Sequence, residues 1–199
     1  MNLQEYKVLT IVVTAVVALL VASPALQRVL VYPQTEFFTE LWLLGPGHMA
    51  EGFPYKVASG QRYNMFLGVS NHLGHAAYYS VQVKFRNSTQ SAPDSFNRTA
   101  SSLAPLYNLN VFVADKETWE LPVTFGFDYS YDANASRVDF THLAFNDAAL
   151  NLGGYSTKRE LNQTAFFGNL IFELWIYDDS TNDFLYHERY VDLKFDMTV

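Results

Sequence analysis

Cysteine is missing altogether from this chain of 199 residues. Without a thiol there is no disulfide, no Cys-ligated zinc, no iron–sulfur cluster and no thiol nucleophile. Charge is scarce too. Charged residues make up 17% of the sequence, hydrophobic residues 49%, and Lys and Arg nowhere form a run. Such a composition buries a core and excludes a disordered chain. Glu5, Lys7 and Arg28 precede the globular part, which then carries 19 acidic and 11 basic residues, a formal charge of -8. That sign repels phosphate backbones, so nucleic acid is excluded as a partner. Gly-x-Ser-x-Gly, a Gly-rich phosphate loop and a dinucleotide fingerprint are also missing. No catalytic residue, metal site or cofactor is therefore expected, and the chain reads as a non-enzyme.

Long apolar runs are missing from all but one place. Val8 to Gln27 holds twenty residues without a charge. At ~1.5 Å per residue a helix of that length crosses a hydrocarbon layer of roughly 30 Å. The bilayer is thus the first expected partner. Residues 1–32 are read as a short cytoplasmic head and a retained transmembrane helix, with Tyr32 at interface depth and Pro33 ending the helix. Val21-Ala22-Ser23 loosely satisfies the small-residue rule for cleavage, which makes a signal peptide the alternative. Residues 33–199 are read as one extracytoplasmic domain.

One Lys before the span and one Arg after it give no orientation by charge. Four Asn-x-Ser/Thr triplets give one: Asn87, Asn97, Asn134 and Asn162 are candidate acceptors of N-linked glycans. Together they place the domain outside the cell, single-pass in the cell membrane.

Beyond Pro33 the hydrophobic period is two. Seven strand-like stretches alternate with turns, at 37–44, 62–70, 78–86, 106–114, 119–128, 170–177 and 184–195. The second and third read as a hairpin about the polar turn Asn71 to His75. Pro122 assigns the fifth to a sheet edge or a break. The last two flank the acidic turn Asp178 to Asp183. The pattern predicts an all-β fold, an antiparallel immunoglobulin-like β-sandwich. Residues 130–168 read as an irregular insertion holding either a short helix over Leu143–Leu150, closed by Gly153-Gly154, or a pair of weaker strands.

Leu44-Gly45-Pro46, Ala50-Glu51-Gly52-Phe53-Pro54 and Val69-Ser70-Asn71-His72, with Lys116 to Pro122 downstream, carry a resemblance. The chain resembles the archaeal membrane-protein family of the domain of unknown function 1616. The resemblance implies an archaeal surface setting and a sandwich-like outer domain, and it supplies no catalytic residues. Taken physically, the glycines and prolines of these loops set backbone angles, and Glu51 is expected to accept backbone hydrogen bonds.

Two clusters are weighed as cation sites. His72 and His75 would need a third ligand such as His48 or His187, and Asp178 to Asp183 lacks the spacing of a calcium loop. Surplus aromatics at Tyr129, Tyr131, Phe166 and Phe167 are expected to form an exposed patch. The function expected is a structural or interaction protein, possessing other membrane or envelope proteins as partners and serving as an accessory subunit. A carbohydrate-binding module using Trp42, Trp119 or Trp175 is the alternative, and an enzyme whose acidic residues converge in a pocket is the third reading.

Overall fold

The computed structural model describes residues 3–29, 36–159 and 166–199. Two compact units form, Met1–Glu36 and Phe37–Val199. The first holds one helix, α1 (Leu3–Val29). Its stretch Tyr6–Ser23 is long and apolar enough to cross a membrane, and none of it is buried by the chain. Such a helix suits a membrane anchor or a signal sequence. Tyr32 and Pro33 lie outside the described residues.

The second unit is a β-sandwich. Its strands are β1 (Phe38–Leu44), β2 (Lys56–Ala58), β3 (Tyr63–His72), β4 (Ala77–Arg86), β5 (Tyr107–Val113) and β6 (Thr118–Asp132). β7 (Arg137–Phe145), β8 (Ala148–Asn151), β9 (Ser156–Lys158), β10 (Phe166–Asp178) and β11 (Asp183–Thr198) follow. One sheet runs β1-β3-β6-β7-β8, with β9 also on β7, and the other runs β2-β11-β10-β4-β5. All pairs are antiparallel except β2 with β11, which run parallel over Lys56–Ala58 and Asp196–Thr198.

Alternation decides which side chains face inward. Met65, Leu67 and Val69 of β3 meet Tyr79, Val81, Val83 and Phe85 of β4 in one buried cluster with Leu170, Phe172 and Leu174 of β10. Phe85, Phe127 and Phe140 fill its middle, with ring centroids 4.8 to 5.9 Å apart. Each such side chain contributes about 1.5–3 kcal/mol by leaving water.

Three expectations need correction. β3 and β4 are not a hairpin, because they belong to different sheets and the turn between them passes from one sheet to the other. Two strands with apolar faces of equal strength satisfy period two equally well side by side or face to face, so alternation alone cannot separate these arrangements. Of the two readings of residues 130–168, the strands hold and the helix over Leu143–Leu150 does not: among the described residues β7, β8 and β9 extend the first sheet. The pairing of β6 with β7 slips between Asp128 and Tyr129, making Thr141 an extra residue. The buried positions Val138, Phe140, Leu143 and Phe145 are thus three apart across the bulge, and this spacing imitates a helix. β6 lies inside its sheet rather than at the edge, yet Pro122 faces only Phe66 of β3, since pairing with β7 begins at Phe125. The missing N–H therefore falls where the strand has one neighbour.

The turn after β1 shows why its glycine is needed. Gly45 N–H donates to Met49 O at 2.8 Å, and a Cβ on Gly45 would lie 1.8 Å from Glu51 O. The Glu51 side chain, expected to accept backbone hydrogen bonds in this loop, is exposed.

Candidate functional site

A cleft opens at the seam between the sheets, where β1 and β11 face one another. Among the described residues β1 pairs only with β3, and β11 meets β2 only at its last residues. β11 is also bulged. Its pairing with β10 passes from Leu174↔Arg189 to Trp175↔Tyr186, so His187 and Glu188 are extra, and Glu188 has a φ of 55°. Bulges re-aim side chains. This one sends His187 into the seam, where its Nε2 lies 2.9 Å from Thr39 Oγ1.

A buried polar chain continues from there. Thr39 Oγ1 lies 3.1 Å from the Tyr79 hydroxyl, which donates to Asn71 Oδ1 at 3.2 Å. Tyr79 has one proton to give, so Thr39 donates to Tyr79 and in turn accepts from His187 Nε2–H. Asn71 anchors the far end: its Nδ2 donates to His75 O at 2.8 Å and Val113 O at 2.9 Å, and its Oδ1 also accepts from Leu73 N–H at 3.1 Å. Asn71 is fully buried and satisfies the backbone where the chain crosses between sheets.

Outside this chain the cleft has a volume of about 460 Å³, walled by Phe37, Phe38, Leu73 and Tyr186, with Arg98 and Arg189 at its mouth. Arg98 pairs with Glu188 at 3.2 Å. Burial, and then the nearby Arg189 charge, hold the His187 imidazole below its ordinary value, with Glu188 opposing. Tyr186 is pushed up to about 12, first by burial and then by the Glu173 carboxylate. The unfolded chain takes up a proton at His187 near pH 6.5, where the folded chain resists it. Stability is therefore full above about pH 6.5 and falls as pH drops below it. Urea midpoints measured between pH 7 and pH 5 should show that decline, and His187→Asn should flatten it.

A second feature lies on the outer face of the β10 sheet, where residues 87–106 form a strap. Lys84 Nζ meets Glu173 Oε2 at 2.6 Å, with the two side chains 2% and 0% exposed. Glu173 Oε1 accepts from Ser101 N–H at 2.8 Å and Ser101 Oγ at 2.6 Å, clamping the strap to the sheet. Sequence reading missed this pair, whose members stand 89 residues apart. The available signal was a Lys and a Glu at outward positions of strands otherwise rich in apolar residues.

The acceptor asparagines are dispersed. Asn97 is exposed on the strap and Asn134 is exposed in the β6–β7 turn. Asn87 is half-buried, and its Nδ2 donates to Ser156 O at 2.7 Å. Asn162 lies outside the described residues. The histidines are not brought together: His48 stacks on Phe66 at 3.6 Å, His72 stacks on Phe38 at 4.5 Å, and His75 Nδ1 contacts Leu73 O. Among the described residues no group of three His, Asp or Glu is placed to hold a metal ion. In the acidic turn, Asp178 is engaged by Ser180 N–H and Oγ, and these bonds hold its carboxyl below the usual range.

The four aromatics weighed as a patch are split. Tyr131 is exposed, but Phe166 is fully buried, and the Tyr129 hydroxyl is taken up by Val57 O and Thr198 O at 2.9 and 2.6 Å. Trp42 lies across Gly68, where a Cβ would fall 2.2 Å from its ring. Trp119 packs half-buried against the core, and Trp175 sits 5.6 Å from the Tyr186 ring.

Comparison with curated proteins found no match. Among solved structures, a beta-glucosidase from Listeria innocua in complex with glucose matches at 10% identity and a TM-score of 0.37, covering 83% of this chain and 17% of that one. This chain thus spans a small fraction of the glucosidase. The CARDB domain of a Pyrococcus furiosus protein, in complex with di-metal ions, matches at 10% identity and a TM-score of 0.36, covering 81% and 89%. A PapD-like domain of human CEP192 matches at 9% identity and a TM-score of 0.29, covering 84% and 89%. Likenesses at this level assign no activity. A family model, the domain of unknown function (DUF1616), matches residues 33–162, more than half of the chain and most of the sandwich. The chain therefore belongs to the DUF1616 family.

Proposed function

We propose that this protein is a non-catalytic interaction module, anchored in the cell membrane by α1, with Phe37–Val199 outside the cytoplasm and docked to another membrane or envelope protein. The observation that carries this reading is the uncovered helix. The stretch Tyr6–Ser23, apolar enough to cross a membrane and with none of it buried by its own chain, finds its cover in lipid. A binding role over catalysis is supported by the cleft itself. His187 Nε2–H donates to Thr39, whose own hydrogen goes to Tyr79, so the imidazole does not act as a base toward this hydroxyl. Among the described residues, Asn97 and Asn134 are the acceptors best exposed for glycans.

The Cys-free sequence makes sidedness simple to measure. Ser102→Cys, at an exposed strap position, introduces a single thiol into the full chain. In intact cells it should react with a membrane-impermeant maleimide, and the labelled protein should stay in the membrane pellet after alkaline carbonate. Labelling only after lysis, or release into the supernatant, would overturn the proposal.

A further inference from the structure

Tyr107 to Val113 holds no charge, no proline and no glycine, and four of its seven residues are aromatic or β-branched. Such a run makes a good strand and a poorly protected edge. The fold places it at one. Among the described residues β5 pairs with β4 alone, in unbroken register and with no positive φ. A flat edge of this kind offers a row of open N–H and C=O groups to any strand that comes beside it.

The other edges among the described residues carry guards that β5 lacks. β2, β8 and β9 are three or four residues long. β1 carries the exposed carboxylate of Glu40, with Arg189 lining the same groove. β11, where β2 leaves it open, is bulged at His187 and Glu188.

A neutral edge takes a neutral strand, and a second β5 is one. Antiparallel pairing about a two-fold axis at Asn110 uses all seven residues and keeps both outer faces on one side. Tyr107 then meets Val113 of the copy, Asn108 meets Phe112, Leu109 meets Val111, and Asn110 meets its own counterpart. Leu109 and Val111, half-buried at the rim of the core, cover one another. Phe112, which is 67% exposed, gains a neighbour. The two Asn110 amides each bring a donor and an acceptor. Beyond the strand, Asp115 and Lys116 fall opposite Pro105 and Ala104, so no like charges meet although the globular part has a formal charge of -8.

We infer that this protein pairs with a second copy of itself through β5, which joins the two β10 sheets into one continuous sheet. The inference does not rest on the docking reading above and holds on either side of a membrane. Its test uses the full chain in density-matched detergent, with single substitutions at exposed positions of a Cys-free sequence. Asn110→Cys sets two thiols across the axis with Cα atoms about 5 Å apart, within the span of a disulfide. Asn108→Cys sets them about 14 Å apart.

Under copper phenanthroline, Asn110→Cys should form the covalent dimer about tenfold faster than Asn108→Cys. Sedimentation equilibrium should show a dimer of the unsubstituted chain, and Asn110→Lys, which opposes like charges on the axis, should raise its Kd about tenfold. Circular dichroism checks that each variant is folded. The inference is overturned if the unsubstituted chain stays monomeric up to about 100 μM. A dimer that Asn110→Lys leaves intact places the contact elsewhere, on α1 for instance, and overturns it too, as does equal cross-linking of the two Cys variants.

Discussion

Lys84→Met should lower the melting temperature of the full chain by roughly 10 °C. The substitution leaves the Glu173 carboxylate buried with only Ser101 for company. Removing one member of a buried ion pair costs about 3–5 kcal/mol, because the remaining charge loses its partner without regaining water. For a domain of this size each kcal/mol moves the midpoint by about 2–4 °C. The double variant Lys84→Met/Glu173→Gln removes both charges, while the amide oxygen still accepts from Ser101. It should recover most of the loss, since an ion pair replaced as a whole is often neutral in stability. Calorimetry of the two variants decides the matter. A double variant as unstable as the single one would show that the strap, rather than the charge, sets the cost.

Asn71→Ala should be comparably damaging, by about 3–5 kcal/mol. Four groups lose their partner at once, namely Leu73 N–H, the Tyr79 hydroxyl and the carbonyls of His75 and Val113. A buried polar group left unpaired costs about 1–3 kcal/mol, part of which water recovers at the turn. Tyr79→Phe removes one hydroxyl from the same chain and should cost about 1–2 kcal/mol. Chemical denaturation of both variants gives the comparison. An Asn71→Ala loss under about 1 kcal/mol would mean that this residue does not hold the crossover.

Much of the fold can be read along single strands. Tyr79, Val81, Val83 and Phe85 alternate with Ser80, Gln82 and Lys84, and the structure buries the first set in the core. What alternation lacks is the identity of the neighbour. It could not say that β3 and β4 part into different sheets, nor that Thr141 breaks the phase of β7. The family marker Val69-Ser70-Asn71-His72 was visible as a turn, and the role of its asparagine was not, because Thr39, Tyr79 and Val113 come to it from distant segments. The cleft was illegible for a similar reason. His187 reaches Thr39 only through a two-residue bulge, and nothing in Tyr186 to Arg189 marks where pairing will slip.

The parallel pairing of Lys56–Ala58 with Asp196–Thr198 has a kinetic meaning. It joins segments about 140 residues apart, secured by Asp196 N–H donating to Tyr55 O and by Tyr129 reaching Thr198. Contacts so remote in sequence form late and slow the search for the native state. While such a chain is being synthesised, β2 is complete long before its neighbour β11 arrives to pair with it. Its open edge therefore waits, exposed to mispairing, until β11 has been translated.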